Sequence, residues 1–155
     1  MRKHISTLKQ ERGQSLMEFA ISLTAIMVLL AGAVDFGIGL FHFIAMRDAA
    51  QEGALYGSMN PPTPGGTYTC PNAKITNICS RIQNVAGSTG LIQEIFPQST
   101  VTVAAPSPCE GNGITVTFQY YYPISMPFIT AIIGTNHINL RASVTDTILT
   151  PPTCP

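Results

Sequence analysis

The sequence predicts an α+β protein in which one long apolar helix precedes a small domain of short helices and an antiparallel sheet. Phe19 to Ile38 is apolar except for Asp35, and its length of about 20 residues suffices to span a membrane. After Pro97, segments rich in Val, Ile, Thr and Tyr read as β-strands. A chain of 155 residues with one membrane segment leaves room for one small globular domain.

A basic leader, residues 1–13, precedes the apolar run. Its cations are Arg2, Lys3, Lys9 and Arg12. Charges just beyond the run are mixed in sign, so the positive-inside rule predicts a single-pass protein with its N-terminus in the cytoplasm. A secretory signal peptide cut near Ala31-Gly32-Ala33 is the alternative. The absence of proline from residue 36 to residue 57 favours a helix that continues past that point.

The helix is predicted to cover residues 14–59, which is about 70 Å and more than twice the ~30 Å hydrocarbon core. One face repeats small residues every fourth position at Ala45, Ala49, Gly53 and Gly57, with Ala33 and Gly37 earlier on the same face. Small residues let another backbone approach closely. The pattern leaves open whether that neighbour is another chain or the chain's own sheet.

Two acids lie at the ends of the apolar run. Glu18 either complements the positive end of the helix dipole or neutralises an amine on a neighbouring helix. The second reading requires a cut after Gly13 that makes Gln14 a free N-terminus. Asp35 is predicted to contact an assembly partner or to sit at the membrane interface.

The predicted exported domain covers residues 60–155. Prolines and glycines in residues 60–71 predict a surface loop, and a helical period from Ala73 to Phe96 predicts one or two short helices, interrupted at residues 87–90. Strands are predicted at residues 100–103, 113–122 and 138–149. The apolar stretch 127–134 is predicted to plug the core, with contact to the bilayer or a partner as the alternative.

All four cysteines follow the apolar run, as expected for an oxidising compartment. Antiparallel pairing of residues 114–122 with 140–148 brings Cys109 and Cys154 to one end of the hairpin. That pairing favours a Cys109–Cys154 bridge and leaves Cys70 with Cys79. The spacings lack the short paired knuckles of a zinc site, so no metal is expected.

Charge and motifs argue against two large function classes. Only 10% of residues are charged and the formal net charge is zero, so nucleic-acid binding is not expected. The histidines His4, His42 and His137 are scattered and no phosphate-binding glycine motif is present. We therefore predict a non-enzyme without a cofactor.

Gly13, Glu18 and Phe19 resemble the prepilin cleavage motif, in which a membrane peptidase cuts after the glycine and the fifth mature residue is Glu. Around them, the chain resembles the N-terminal signature of TadE-like proteins, pseudopilins of the tight-adherence (Tad) pilus system. The similar segments are residues 12–20, 34–37 and 47–54 and, more loosely, 122–128 and 138–144.

The resemblance implies a minor pilin or pilus-assembly factor, processed by a prepilin peptidase and associated with the membrane, other pilin subunits and Tad inner-membrane assembly proteins. It assigns the cleavage site to Gly13 and Gln14, and an assembly role to Glu18 and Phe19. The alternative is an unprocessed, membrane-anchored adhesin or scaffold.

Overall fold

The computed structural model describes residues 4–85, 90–125, 130–131 and 134–149. The predicted α+β class is confirmed, since a long helix is followed by short helices and a four-stranded antiparallel sheet. The chain divides into two compact units, Met1–Ile38 and Gly39–Pro155. The long helix α1, His4–Met59, contributes to both.

Helix α1 begins at His4, within the predicted leader, because no proline separates the leader from the apolar run. It ends at Met59, as predicted, where Pro61 and Pro62 follow and cannot continue the helical hydrogen bonding. In the first unit, every residue from Gly13 to Ala31 is exposed. This part of α1 therefore has no covering layer within its own unit.

The short helices lie where the helical period predicted them. A 3₁₀ turn, Ala73–Ile75, leads into α2, Thr76–Gln83. Helix α3, Leu91–Ile95, continues into a second 3₁₀ turn, Phe96–Gln98. Gly90 precedes α3 with a φ of 79°, in the left-handed region where glycine carries no steric cost.

The sheet has the order β1-β2-β3-β4, and all neighbouring strands are antiparallel. The strands are β1, Gly66–Thr69; β2, Ser99–Ala105; β3, Gly113–Pro123; and β4, His137–Thr147. The three predicted strands are confirmed. The prediction of a surface loop over residues 60–71 is wrong at Gly66–Thr69, which pairs with β2 along its whole length.

The core lies between one face of the sheet and the helices of the second unit. The sheet contributes alternate residues, with Val101 opposite Phe118 and Val103 opposite Val116. All four of these are at most 1% exposed. The second half of α1 and the helices α2 and α3 supply the other side of the core, where the buried residues are Met46, Ala49, Ala50, Ala54, Ile78, Ile82, Ile92 and Ile95.

The other face of the sheet is polar, and hydroxyl groups form hydrogen bonds between β3 and β4 there. Thr115 and Thr145 are register partners whose Oγ1 atoms are 2.8 Å apart, and Thr117 and Ser143 form a similar pair at 3.0 Å. This alternation of apolar and hydroxyl side chains gives β3 one buried and one solvated face.

The predicted Cys70–Cys79 disulfide is confirmed, with Cα atoms 5.8 Å apart. It links the end of β1 to α2. Cys109 is also disulfide-bonded. Its predicted partner, Cys154, lies outside the described residues, so the Cys109–Cys154 pairing stays a prediction.

Candidate functional site

The predicted cleavage and assembly residues lie in the exposed part of α1. Gly13, Gln14 and Glu18 are all exposed, and a Cβ added at Gly13 would meet no described atom within 4 Å. Phe19, the first aromatic residue of the apolar run, is 66% exposed. The peptide bond after Gly13 therefore lies within α1, on an exposed part of the helix, and the Glu18 side chain is exposed.

Between Glu18 and Asp35 the helix presents apolar side chains in every direction. Among the described residues, α1 is the one helix long and apolar enough to cross a membrane, and its most apolar stretch has no buried residue. Thr24 uses its hydroxyl within the helix, since its Oγ1 donates to the Ala20 carbonyl at 2.9 Å. A helix that is apolar all round suits a lipid or protein surrounding rather than water.

Asp35 differs from the apolar residues around it. It is half-buried, and its Oδ2 atom is buried without a hydrogen-bond partner among the described residues. Burying a carboxylate oxygen without a hydrogen-bond donor costs free energy. A donor from another molecule would remove that cost. The predicted assembly role of Asp35 remains a prediction.

The structure divides the small-residue face of α1 into two parts. Ala33 and Gly37 are exposed, and a Cβ added at Gly37 would meet no described atom within 4 Å. Ala45 and Ala49 are buried in the core of the second unit. The sequence left open whether another chain or the chain's own sheet packs on this face. For the second part of the face, the close neighbour is the chain's own domain.

Gly53 and Gly57 show why this part of the helix needs small residues. A Cβ added at Gly53 would collide with the Ile82 side chain of α2, and one added at Gly57 would lie 2.6 Å from Ile114 Cδ1 of β3. Next to Gly57, Ser58 is completely buried, and its carbonyl accepts a hydrogen bond from the Leu149 amide at 3.0 Å. The helix terminus is thus fastened to the segment after β4.

A polar groove runs between the second half of α1 and α2. Arg81 Nη1 lies 3.9 Å from Glu52 Oε1, and the Arg81 guanidinium lies 5.2 Å from the centre of the Tyr56 ring. Asp48 and Asn84 line the same groove. Both members of the ion pair are substantially exposed, so it contributes little to stability.

An aromatic cluster at the start of the second unit was missed by the sequence predictions. The His42 ring stacks on Tyr120 with centroids 6.0 Å apart and lies 5.1 Å from the Tyr122 ring at a tilt of 58°. The alternate tyrosines of β3 were a signal for one buried sheet face. Nothing in the sequence showed that His42 of α1 would lie against that face.

The described residues contain no group of three or more His, Cys, Asp and Glu side chains that could hold a metal ion. What they do contain is a helix with an exposed apolar half and a half fixed to a folded domain. Such an arrangement suits a folded domain that is attached to a membrane or to a larger assembly by its helix.

Comparison with known proteins supports this reading. Residues 13–55 match the family model of TadE-like proteins. This chain carries the TadE-like helix. The match starts at the predicted cleavage glycine and covers both the exposed apolar part of α1 and most of its packed part. No curated protein and no solved structure matches the chain.

Over residues 13–55 the chain is similar to TadE-like proteins, which are associated with the Tad pilus. Its long apolar helix suits anchoring in a membrane. The predicted resemblance to TadE-like proteins is confirmed over residues 13–55, and the cleavage motif at Gly13, Glu18 and Phe19 stays a prediction.

Proposed function

We propose that this TadE-like protein is a minor pilin or pilus-assembly factor of a Tad-type pilus, anchored with its N-terminus in the cytoplasm. Residues 1–13 form the leader, residues 14–59 the anchoring helix, and residues 60–155 the exported part. The observation that carries the proposal is that Gly13 and Glu18 both occur at the start of the exposed apolar part of α1, within the TadE-like match.

In this proposal, a prepilin peptidase cleaves the chain after Gly13 and so prepares the start of the helix for assembly. It removes the basic leader and creates an amine at Gln14. Glu18 lies about 6 Å further along the helix axis. A carboxylate and an amine separated in this way pair when two helices are offset by about one turn, and an unpaired charge in an apolar surrounding disfavours other offsets.

The exposed apolar surface of α1 provides the rest of the interaction. Its large side chains and the exposed Ala33 and Gly37 positions would pack against helices of other pilin subunits or of Tad inner-membrane assembly proteins. Asp35, with an unpartnered buried oxygen, is a second candidate for pairing with a donor on such a partner.

Mass measurement of the protein isolated from membranes and from sheared surface filaments tests the proposal. We expect a mature chain that begins at Gln14 and that is present in both fractions. A chain that retains Met1 wherever it functions would contradict processing and would favour the unprocessed membrane-anchored adhesin or scaffold.

Glu18→Gln tests the charge pairing separately from processing, because it keeps the size of the side chain and removes its charge. We expect normal cleavage but reduced recovery in filaments. Glu94→Gln is the matched control, since Glu94 is an exposed acid on α3 in the second unit. Equal recovery of the two variants would refute the pairing role of Glu18.

A further inference from the structure

We infer that, in the membrane-resident protein, one end of the folded second unit rests in the headgroup layer of a phospholipid bilayer. This is the end that contains Gly39, the last residue of β3 and the first residue of β4. The inference rests on the proposed function in one respect, which is that the apolar part of α1 spans the membrane.

Contacts within the second unit define this end. A Cβ added at Gly39 would lie 3.8 Å from Tyr122 Cε1, and the His42 ring lies 5.1 Å from the Tyr122 ring. The register of β3 and β4 places Tyr122 opposite Ile138 and Tyr121 opposite Asn139. The start of the second unit's helix is therefore level with the end of β3 and the beginning of β4.

Large apolar side chains are exposed at this level on both the helix and the sheet. On the helix, Leu40 is 47%, Phe41 53% and Ile44 48% exposed. On the sheet, Tyr121 is 52% and Ile138 44% exposed. Exposed apolar side chains on two elements at one end of a domain mark an interaction surface rather than scattered surface residues.

The polar groups that accompany them suit a membrane interface. The Tyr121 and His137 rings meet edge to face at 5.3 Å, and Gln119 Nε2 donates to the Tyr121 hydroxyl at 3.3 Å. Arg141 is the register partner of Gln119 and supplies a cation on the same strand pair. Aromatic side chains with polar tips and nearby cations are the residues enriched where hydrocarbon meets headgroups.

The length of α1 also places the Gly39 end of the second unit at the headgroup layer. Phe19 to Ile38 rises about 30 Å, which matches the hydrocarbon core. Residues 39–44 rise a further ~9 Å, comparable with the about 5–8 Å of headgroup layer on each side of a bilayer. Residues 39–44 contain no Asp, Glu, Lys or Arg, since the next charged residue of α1 after Asp35 is Arg47.

The opposite end of the second unit has a different character. Ile114 lies beside Gly57 at the end of α1, and its register partner is the acid Asp146. Glu110 lies in the turn before β3, where the next residue, Gly111, donates its amide hydrogen to the Ile148 carbonyl. This polarity favours a bilayer as the occupant of the Gly39 end, since anionic headgroups would attract Arg141 and would repel the acidic end.

The predicted bilayer or core contact of residues 127–134 concerns the same end of the sheet, because this segment connects β3 to β4. Most of it lies outside the described residues. The inference therefore stands on Leu40, Phe41, Ile44, Tyr121 and Ile138.

Single tryptophans test the inference, because the chain contains none of its own. Three variants of the full chain, Tyr121→Trp, Thr147→Trp and Val28→Trp, are reconstituted in vesicles of phosphatidylethanolamine and phosphatidylglycerol whose acyl chains carry bromine. We expect the bromine to quench the fluorescence of the reporters at positions 28 and 121. The reporter at position 147, near the acidic end, should keep its intensity.

The outcomes separate the inference from the proposed function. If position 28 is quenched and position 121 behaves like position 147, the helix is inserted but the docking surface is refuted. If position 28 is not quenched, the membrane span itself fails. If position 121 is not quenched at high protein density and becomes quenched only when the protein is diluted in excess lipid, the surface is occupied by a second copy of the chain and the inference is also overturned.

Discussion

In the first unit α1 exposes large apolar side chains such as Leu29 and Phe36, each 73% exposed, whereas in the second unit it buries small ones such as Ala49 and Ala54, both 0% exposed. The helix is continuous through both parts. What differs is the presence of a sheet and two short helices beside the second part. Similar small-residue spacing therefore serves the chain's own core in one part and stays available to partners in the other.

Truncating one aromatic residue in each part should give the largest contrast. Phe118 is completely buried and meets Phe96 edge to face at 6.2 Å, so Phe118→Ala should lower the free energy of unfolding by about 3–5 kcal/mol. Phe36→Ala, in the exposed part, should leave it unchanged. Urea titration of the detergent-solubilised chain, followed by near-ultraviolet circular dichroism, measures both. Equal effects would mean that the first part also has a packed partner.

Removal of the Cys70–Cys79 bridge should affect the second unit alone. The bridge closes a short loop with a sequence separation of 9, and the double variant Cys70→Ser, Cys79→Ser should lose about 2–3 kcal/mol of stability. Membrane insertion of the first part should not change, as measured by resistance to carbonate extraction. Loss of insertion in a variant whose domain is still folded would contradict the independence of the two parts.

A pair of glycine substitutions sharpens the comparison at the level of the small-residue face. Gly53→Leu drives a side chain into Ile82 and should destabilise the second unit by about 1–3 kcal/mol. Gly37→Leu meets open space and should not lower the free energy of unfolding, although it should reduce incorporation into filaments. The same urea titration and the filament recovery assay distinguish them. Tolerance of leucine at position 53 would show that the helix is not held against α2.

The smallest effect is expected in the polar groove of the second unit. Arg81→Gln removes an exposed ion pair with Glu52 and a ring contact with Tyr56, and should change the stability by less than about 1 kcal/mol. A loss well above that value, measured in the same titration, would indicate that the groove stabilises the packing of α2 on α1.

Much of the first part could be predicted from residues 13–38 alone. A run of membrane length whose one ionisable residue is Asp35 predicts a helix exposed to an apolar surrounding, because its backbone satisfies its own hydrogen bonds and its apolar side chains need no partner from the same chain. Gly13 and Glu18 stood out because a glycine and an acid are unusual at the start of such a run. The TadE-like match then covered both.

The second part was predicted less completely. Alternation identified β2, β3 and β4, but β1 was missed because Thr67, Tyr68 and Thr69 lie among prolines and glycines that predict a loop. Four residues become a strand here because β2 offers them an open edge and the disulfide at Cys70 holds the following segment. Pairing with a distant strand is not encoded in a local pattern.

The sequence by itself determined the long helix, its end at Met59 and the α+β class, since these follow from local hydrogen bonding and side-chain period. It also determined the Cys70–Cys79 bridge, because the predicted strand pairing leaves these two cysteines for each other. Only the tertiary structure decided which small residues of α1 face the chain's own core and which remain exposed. Both groups have the same spacing, and only the position of Ile82 and Ile114 beside Gly53 and Gly57 distinguishes them. Long-range packing, which brings together residues far apart in the chain, made that choice.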